Sequence, residues 1–204
     1  MRATPFLAAV FIVTLAVPAF GQAPPEGTPT RIRGTVDKVD GQNLTVKSRD
    51  GQSLTVALAP NFTVRGVVAK SVADIKAGDY VASTSVKGPD GTLKAIEVHI
   101  FPENMRGTAE GQFPWDLVPD SVMTNATVSQ ITGAPQGQVM KVKYKDSEAE
   151  VTVPPGIPIV GYVPADVALL KPGTTIFIVA RKQADGTLTA ASVTAEKDGV
   201  KPPM

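Results

Sequence analysis

Residues 71–98, SVADIKAGDYVASTSVKGPDGTLKAIEV, and residues 166–193, DVALLKPGTTIFIVARKQADGTLTAASV, are two versions of one text set 95 positions apart. Gly78 falls on Gly173, Asp90-Gly91-Thr92-Leu93 on Asp185-Gly186-Thr187-Leu188, and Val98 on Val193. The likeness continues upstream with small gaps: Val36 stands opposite Val128, Leu44-Thr45-Val46-Lys47 opposite Met140-Lys141-Val142-Lys143, and Leu54-Thr55-Val56 opposite Val151-Thr152-Val153. Gaps of that kind belong in surface turns of a duplicated unit. Each unit has roughly 70 residues, near the lower end of what folds alone, so each is expected to lean on the other's surface.

The units read as strand. Val and Thr abound, and β-branched side chains suit a pleated, half-buried surface. Asp40-Gly41, Asp50-Gly51, Asp90-Gly91 and Asp185-Gly186 each lie between apolar runs and tolerate the positive φ of a tight hairpin turn. Ser71 and Asp166 can each cap the start of a short helix that Gly78 and Pro172-Gly173 then stop. The order within a unit is strand, strand, strand, short helix, strand, strand. The expected fold is therefore all-β with one short helix per unit: two tandem OB-like five-stranded barrels related by the internal repeat. A pair of small β-sandwiches is the alternative, because strand count alone does not decide closure.

The expected division is a signal peptide at 1–21, a Pro-rich tether at 22–30 (QAPPEGTPT), repeat one at 31–101, a connector at 102–123, repeat two at 124–195 and a tail at 196–204. The leader carries Arg2, an apolar run from Phe6 to Ala16, a break at Pro18, then Ala19-Phe20-Gly21. That run is shorter than the ~20 apolar residues of a membrane span and is followed by a small-residue cleavage pattern. No later segment is long and apolar enough to span a bilayer. The expected location is the periplasm or the extracellular space. With no Cys in the chain, neither a lipidated cysteine anchor, nor a disulfide, nor a thiolate metal site can form.

Loss of Arg2 lowers Lys+Arg from 20 to 19 against 19 Asp+Glu, leaving no formal net charge. A chain without a basic excess lacks the electrostatic footprint that dominates nucleic-acid affinity, so no nucleic-acid partner is expected. No cofactor is expected either.

The run GTVDKVDGQNLTVKSRDG, then SVADIKAGDYV, then DGTLKAIEVHIFPE, resembles the secreted bacterial OB-like repeat domain of unknown function catalogued under number 5666. With its FPENMRGTAEGQFPWD connector and MTNATV restart, the chain is similar to a proteobacterial group often labelled "metal ABC transporter permease". The resemblance implies a fold and a compartment and no established activity; a permease would need membrane helices that this sequence lacks.

The connector has no counterpart inside either repeat, and it holds residues a β-scaffold does not require: Glu103, Arg106, Glu110, Trp115 and Asp116. These are the candidate binding residues, since unusual polar and aromatic groups on loops are frequent contact points. Packing competes with that reading: Trp115 with Phe113 and Leu117 can plug a junction between units, and Arg106 can pin the loop by pairing with Glu103 or Glu110. His99 is the one histidine, two residues after Glu97 on a strand face, and Glu97, His99 and Glu103 form the candidate metal set. Their repeat partners are Ser192 and Thr194, polar in turn, so this face is expected to meet solvent.

No nucleophile motif, zinc-protease motif or phosphate-cradling loop is present, and no catalytic residue is assigned. The expected role is non-enzymatic: a secreted binding or envelope-scaffold protein whose partner is an envelope protein or a small ligand. An accessory metal-binding protein is the alternative.

Overall fold

A computed structural model describes residues 27–89 and 91–203. The leader at 1–21, residues 22–26 of the tether and Asp90 of one hairpin turn lie outside the described residues. Twelve strands form in chain order: β1 (Thr28–Asp40), β2 (Asn43–Ser48), β3 (Ser53–Ala69), β4 (Tyr80–Lys87), β5 (Leu93–Ile100), β6 (Gly111–Pro114), β7 (Ser121–Ala134), β8 (Gly137–Tyr144), β9 (Ser147–Val153), β10 (Ile159–Ala165), β11 (Thr175–Lys182) and β12 (Leu188–Ala195). Short 3-10 helices occupy Val72–Asp74, Glu103–Met105 and Val167–Leu169. The bounds of the first and third of these helices, of β4 and β11, and of β5 and β12 all differ by 95, the spacing read in the sequence.

The expected short helix of each unit is one 3-10 turn. Asp166 caps the third helix by accepting the N–H of Ala168 at 2.8 Å. At the first, Asp74 reaches back to accept the N–H of Ser71 at 2.7 Å and its hydroxyl at 2.8 Å. Gly78 and Gly173, both at positive φ, then turn the chain into the next strand, a conformation that costs glycine little.

The strands close two five-strand circuits, as expected for an all-β barrel fold, but neither is made from one unit. Barrel one runs β1-β2-β3-β12-β11 and back to β1; barrel two runs β4-β5-β9-β8-β7 and back to β4. The sequence order suggests that 31–101 and 124–195 each close a barrel of their own. Instead, the first three strands of each unit take as partners the last two strands of the other. The cores record the exchange. Ile32, Val36, Leu44 and Val56 pack with Ile176, Ile178, Val193 and Ala195 in barrel one. Val81, Ala95 and Val98 pack with Val128, Met140, Val142 and Val151 in barrel two. Each Val, Leu, Ile or Met among them taken from water contributes about 1.5–3 kcal/mol before entropy is counted.

Two strands carry the chain between barrels. The end of β3 pairs antiparallel with β10, Val64 opposite Ala165 through Ala69 opposite Val160. β5 pairs parallel with β10 over 98–100 against 159–161, and β12 pairs parallel with β3 over 193–195 against 64–66. These two sets are the same register shifted by 95, so the crossing is close to two-fold symmetric. Gly173 N–H donates to Val36 C=O at 2.8 Å, and Gly78 N–H donates to Val128 C=O at 2.8 Å: one bond, made twice, each time between units. β3 is a single 17-residue strand. Its first part pairs with β2 and its last part with β10, with a register break against β12 between Leu58 and Thr63, so it carries the chain out of barrel one before β4 begins.

Two boundaries move. β1 begins at Thr28, inside the expected tether, with Thr28 opposite Lys182. The tail makes a Lys197–Val200 bridge and buries Pro202 against barrel one.

Candidate functional site

The seam between the barrels corrects the reading of Glu97 and His99 as solvent-facing: their side chains are 1% and 0% exposed. From Glu97 to His99, β5 is buried on both faces, with the Tyr162 side chain of β10 packed against His99. Thr84 on β4 donates its hydroxyl to Glu97 Oε1. Tyr162 on β10 sets its hydroxyl 2.8 Å from His99 Nδ1, its ring centroid 5.6 Å from the imidazole. With Tyr162 donating to Nδ1, the remaining ring N–H, at Nε2, faces Glu97 Oε2 at 3.5 Å. Neither of those two atoms makes a hydrogen bond. Burial pushes the Tyr162 hydroxyl well above the ordinary tyrosine range, and the Glu97 carboxylate adds to it. The row continues through Phe101, 5.5 Å from Tyr162, to Tyr80, 5.5 Å from Phe101.

This cluster does not gather Glu103, the third member of the candidate metal set. Glu103 sits on the exposed 3-10 turn, held by Arg106 at 2.6 Å, and among the described residues no group of three or more His, Cys, Asp or Glu is placed to share an ion.

The five connector residues separate into three places. Arg106 pairs bidentately with Glu103 at 2.6 Å and donates to Gly78 C=O at 2.9 Å, fastening the loop to barrel two. Thr108 C=O completes the fastening by accepting from Tyr80 at 3.1 Å and Asn125 at 3.0 Å. The Tyr80 hydroxyl is pushed up to about 12, by burial first and then by the charge of Glu110, with Arg106 opposing. Glu110 accepts the N–H of Lys145 at 2.8 Å, in the β8–β9 turn.

Trp115 and Asp116 reach barrel one. β6 pairs with β7, and the chain beyond it lays Trp115 against β1 and β11: the Arg31 guanidinium lies 3.9 Å from the Trp115 ring centre, and Phe177 6.3 Å from it. Asp116 bonds Arg33 at 2.8 Å and faces Arg31 at 3.6 Å. Partial burial pushes the Asp116 carboxyl up, but the Arg33 hydrogen bond and the charges of Arg33 and Arg31 outweigh it and hold the group below its ordinary range. Trp115 is thus a bolt between barrels, the packing role that competed with ligand contact.

Arg31, Arg33, Thr84 and Tyr162 escaped the sequence reading. The alternation Arg31-x-Arg33 at the start of a strand was the available signal for the first two. Tyr162 carried none, because its repeat partner is Val67.

Beside Arg33 lies an open groove of about 510 Å³. Its walls are β1 and β2 of the first unit, Thr175 and Ile176 of the second, and the tail at Lys201 and Pro202. A second groove, about 490 Å³, runs between Lys70 and the Pro154-Pro155-Gly156 turn. No helix among the described residues is long and apolar enough to cross a membrane. Comparison with protein-family models, with curated proteins and with solved structures finds no match to this chain.

Proposed function

We propose that the protein is a non-enzymatic binding or scaffold protein of the periplasm or the extracellular space, in keeping with the leader read in residues 1–21 and with the resemblance to secreted OB-like repeat domains. The observation that carries this reading is the placement of Glu97 and His99. They are the acid–base pair best suited to proton transfer, and they are sealed in the seam with side chains 1% and 0% exposed. A general base must come within hydrogen-bond reach of the proton it abstracts. Here the imidazole instead bonds Tyr162 and ties the two halves of the chain together. Concave, solvent-open surface lies elsewhere, in grooves of a size suited to small ligands or to peptide segments of an envelope partner.

Export and assay test the proposal together. Protein secreted by a bacterial host should begin at or near Gln22 and be released with the periplasmic fraction. It should turn over none of a panel of chromogenic esters, phosphoesters and glycosides. Turnover that disappears in His99→Gln or Glu97→Gln, with the fold intact, overturns the reading.

A further inference from the structure

We propose that the groove beside β1 binds a compact polyanion, a ligand carrying two or more phosphate or carboxylate groups; this rests on the binding-protein reading above. Four cations line it, Arg33, Lys47, Arg49 and Lys201, and none of its lining residues is acidic. The chain as a whole has 20 Lys+Arg against 19 Asp+Glu, so this one-sign lining is a local arrangement and not a spillover of net charge.

Arg33 is already ion-paired with Asp116 at 2.8 Å, so the free positive charge of the groove lies chiefly on its lysines. Asp50 accepts the Ser48 hydroxyl, and Glu196 accepts the N–H of Thr175 at 3.3 Å. Other lysines on the surface do find partners: Lys141 pairs with Glu150 at 3.0 Å and Lys143 with Glu148 at 2.7 Å. Lys47 and Lys201 have no such partner among the described residues, and both are exposed. Like charges held together repel, and a cleft of one sign concentrates counter-ions of the other.

The groove is also assembled rather than incidental. Its floor joins β1 and β2 to β11 across the exchanged barrel, and its outer wall is the tail, anchored by the buried Pro202 so that Lys201 stands at the rim. A volume of about 510 Å³ admits a small ligand and not a folded partner.

Calorimetric titration of the full mature chain with tripolyphosphate, and separately with citrate, tests the site and tells phosphate from carboxylate preference. The expected result is saturable binding of at least one of them, weakening as salt rises from ~50 to ~200 mM because the contact is exposed and screened. Lys47→Glu combined with Lys201→Glu should weaken it about 10-fold or more, Lys47→Ala with Lys201→Ala by less, and Lys94→Glu on the other barrel should leave it unchanged. No binding of either anion to the parent chain overturns the proposal. So does binding that survives the double reversal, or that Lys94→Glu reduces equally. Silence toward both anions without turnover of any substrate removes this site and leaves the binding-protein reading standing; turnover removes that reading itself.

Discussion

Tyr162 Oη lies 2.8 Å from His99 Nδ1, and the two residues come from different halves of the chain. The bond closes the seam where β10 passes β5, in surroundings too dry to offer His99 a substitute. Tyr162→Phe should therefore strand the buried ring nitrogen and cost about 1–3 kcal/mol. Urea unfolding followed by fluorescence would measure it. A cost near zero would show that the seam is held by ring packing alone.

Trp115 gives a second, graded test. Trp115→Ala removes the ring that Arg31 and Phe177 pack against and should cost about 2–4 kcal/mol. Trp115→Phe should cost much less, because the indole N–H it deletes is buried without a hydrogen-bond partner. Arg106→Ala, on an exposed ion pair, should shift the melting temperature least of the three. Melting curves of the three variants would show the ranking.

Strong acid should loosen the Asp116 contact. Its pKa is lowered in the fold, so its contribution is present above the ordinary value of 3.8 and is lost as pH falls through the lower folded value. The side chain is 51% exposed, so the effect is about 1 kcal/mol or less. The stability gap between the parent and Asp116→Asn should be steady near neutrality and close below pH ~4. A gap that widens in acid contradicts the ion pair.

Strand exchange predicts the fate of a cut chain. A single proteolytic nick in the exposed turn at 106–109 should leave both fragments bound to each other, since each barrel needs strands from both. Size-exclusion chromatography should show one peak that splits only in denaturant, and the intact chain should melt in one transition. Fragments that separate without denaturant would mean the units are independent after all.

What the sequence revealed and what it hid have one physical explanation. The 95-residue offset located β4 against β11 and β5 against β12, because hydrophobic alternation and Asp-Gly turns are local and survive duplication. The same likeness concealed the exchange. Val36 can meet Gly78 or Gly173 with the same bond, and nothing in a periodic pattern distinguishes the two. The exchange goes with the length of β3, which pairs with β2 at one end and with β10 at the other. Glu97 and His99 were misread for a related reason: Ser192 and Thr194 opposite them are polar, yet Thr194 is itself buried at 7% exposure, so polarity at that face did not mean solvent. Of the connector residues, the Arg106–Glu103 pair was legible because an i,i+3 spacing brings such groups together. Arg31 and Arg33 were not, since their partners Trp115 and Asp116 are more than eighty residues away.

The crossing of β3 and β10 also governs when the protein can exist at all. Thr28 is opposite Lys182, 154 positions later, so the first strand made is completed by nearly the last. Barrel one cannot close while β11 and β12 are still being synthesised, and loop closure over such separations is slow. The nascent first half must wait with its apolar strands exposed, which is the period of greatest risk for a β-rich chain. Under the export proposed above, that delay would be an asset: the chain would stay threadable until its C-terminus has arrived.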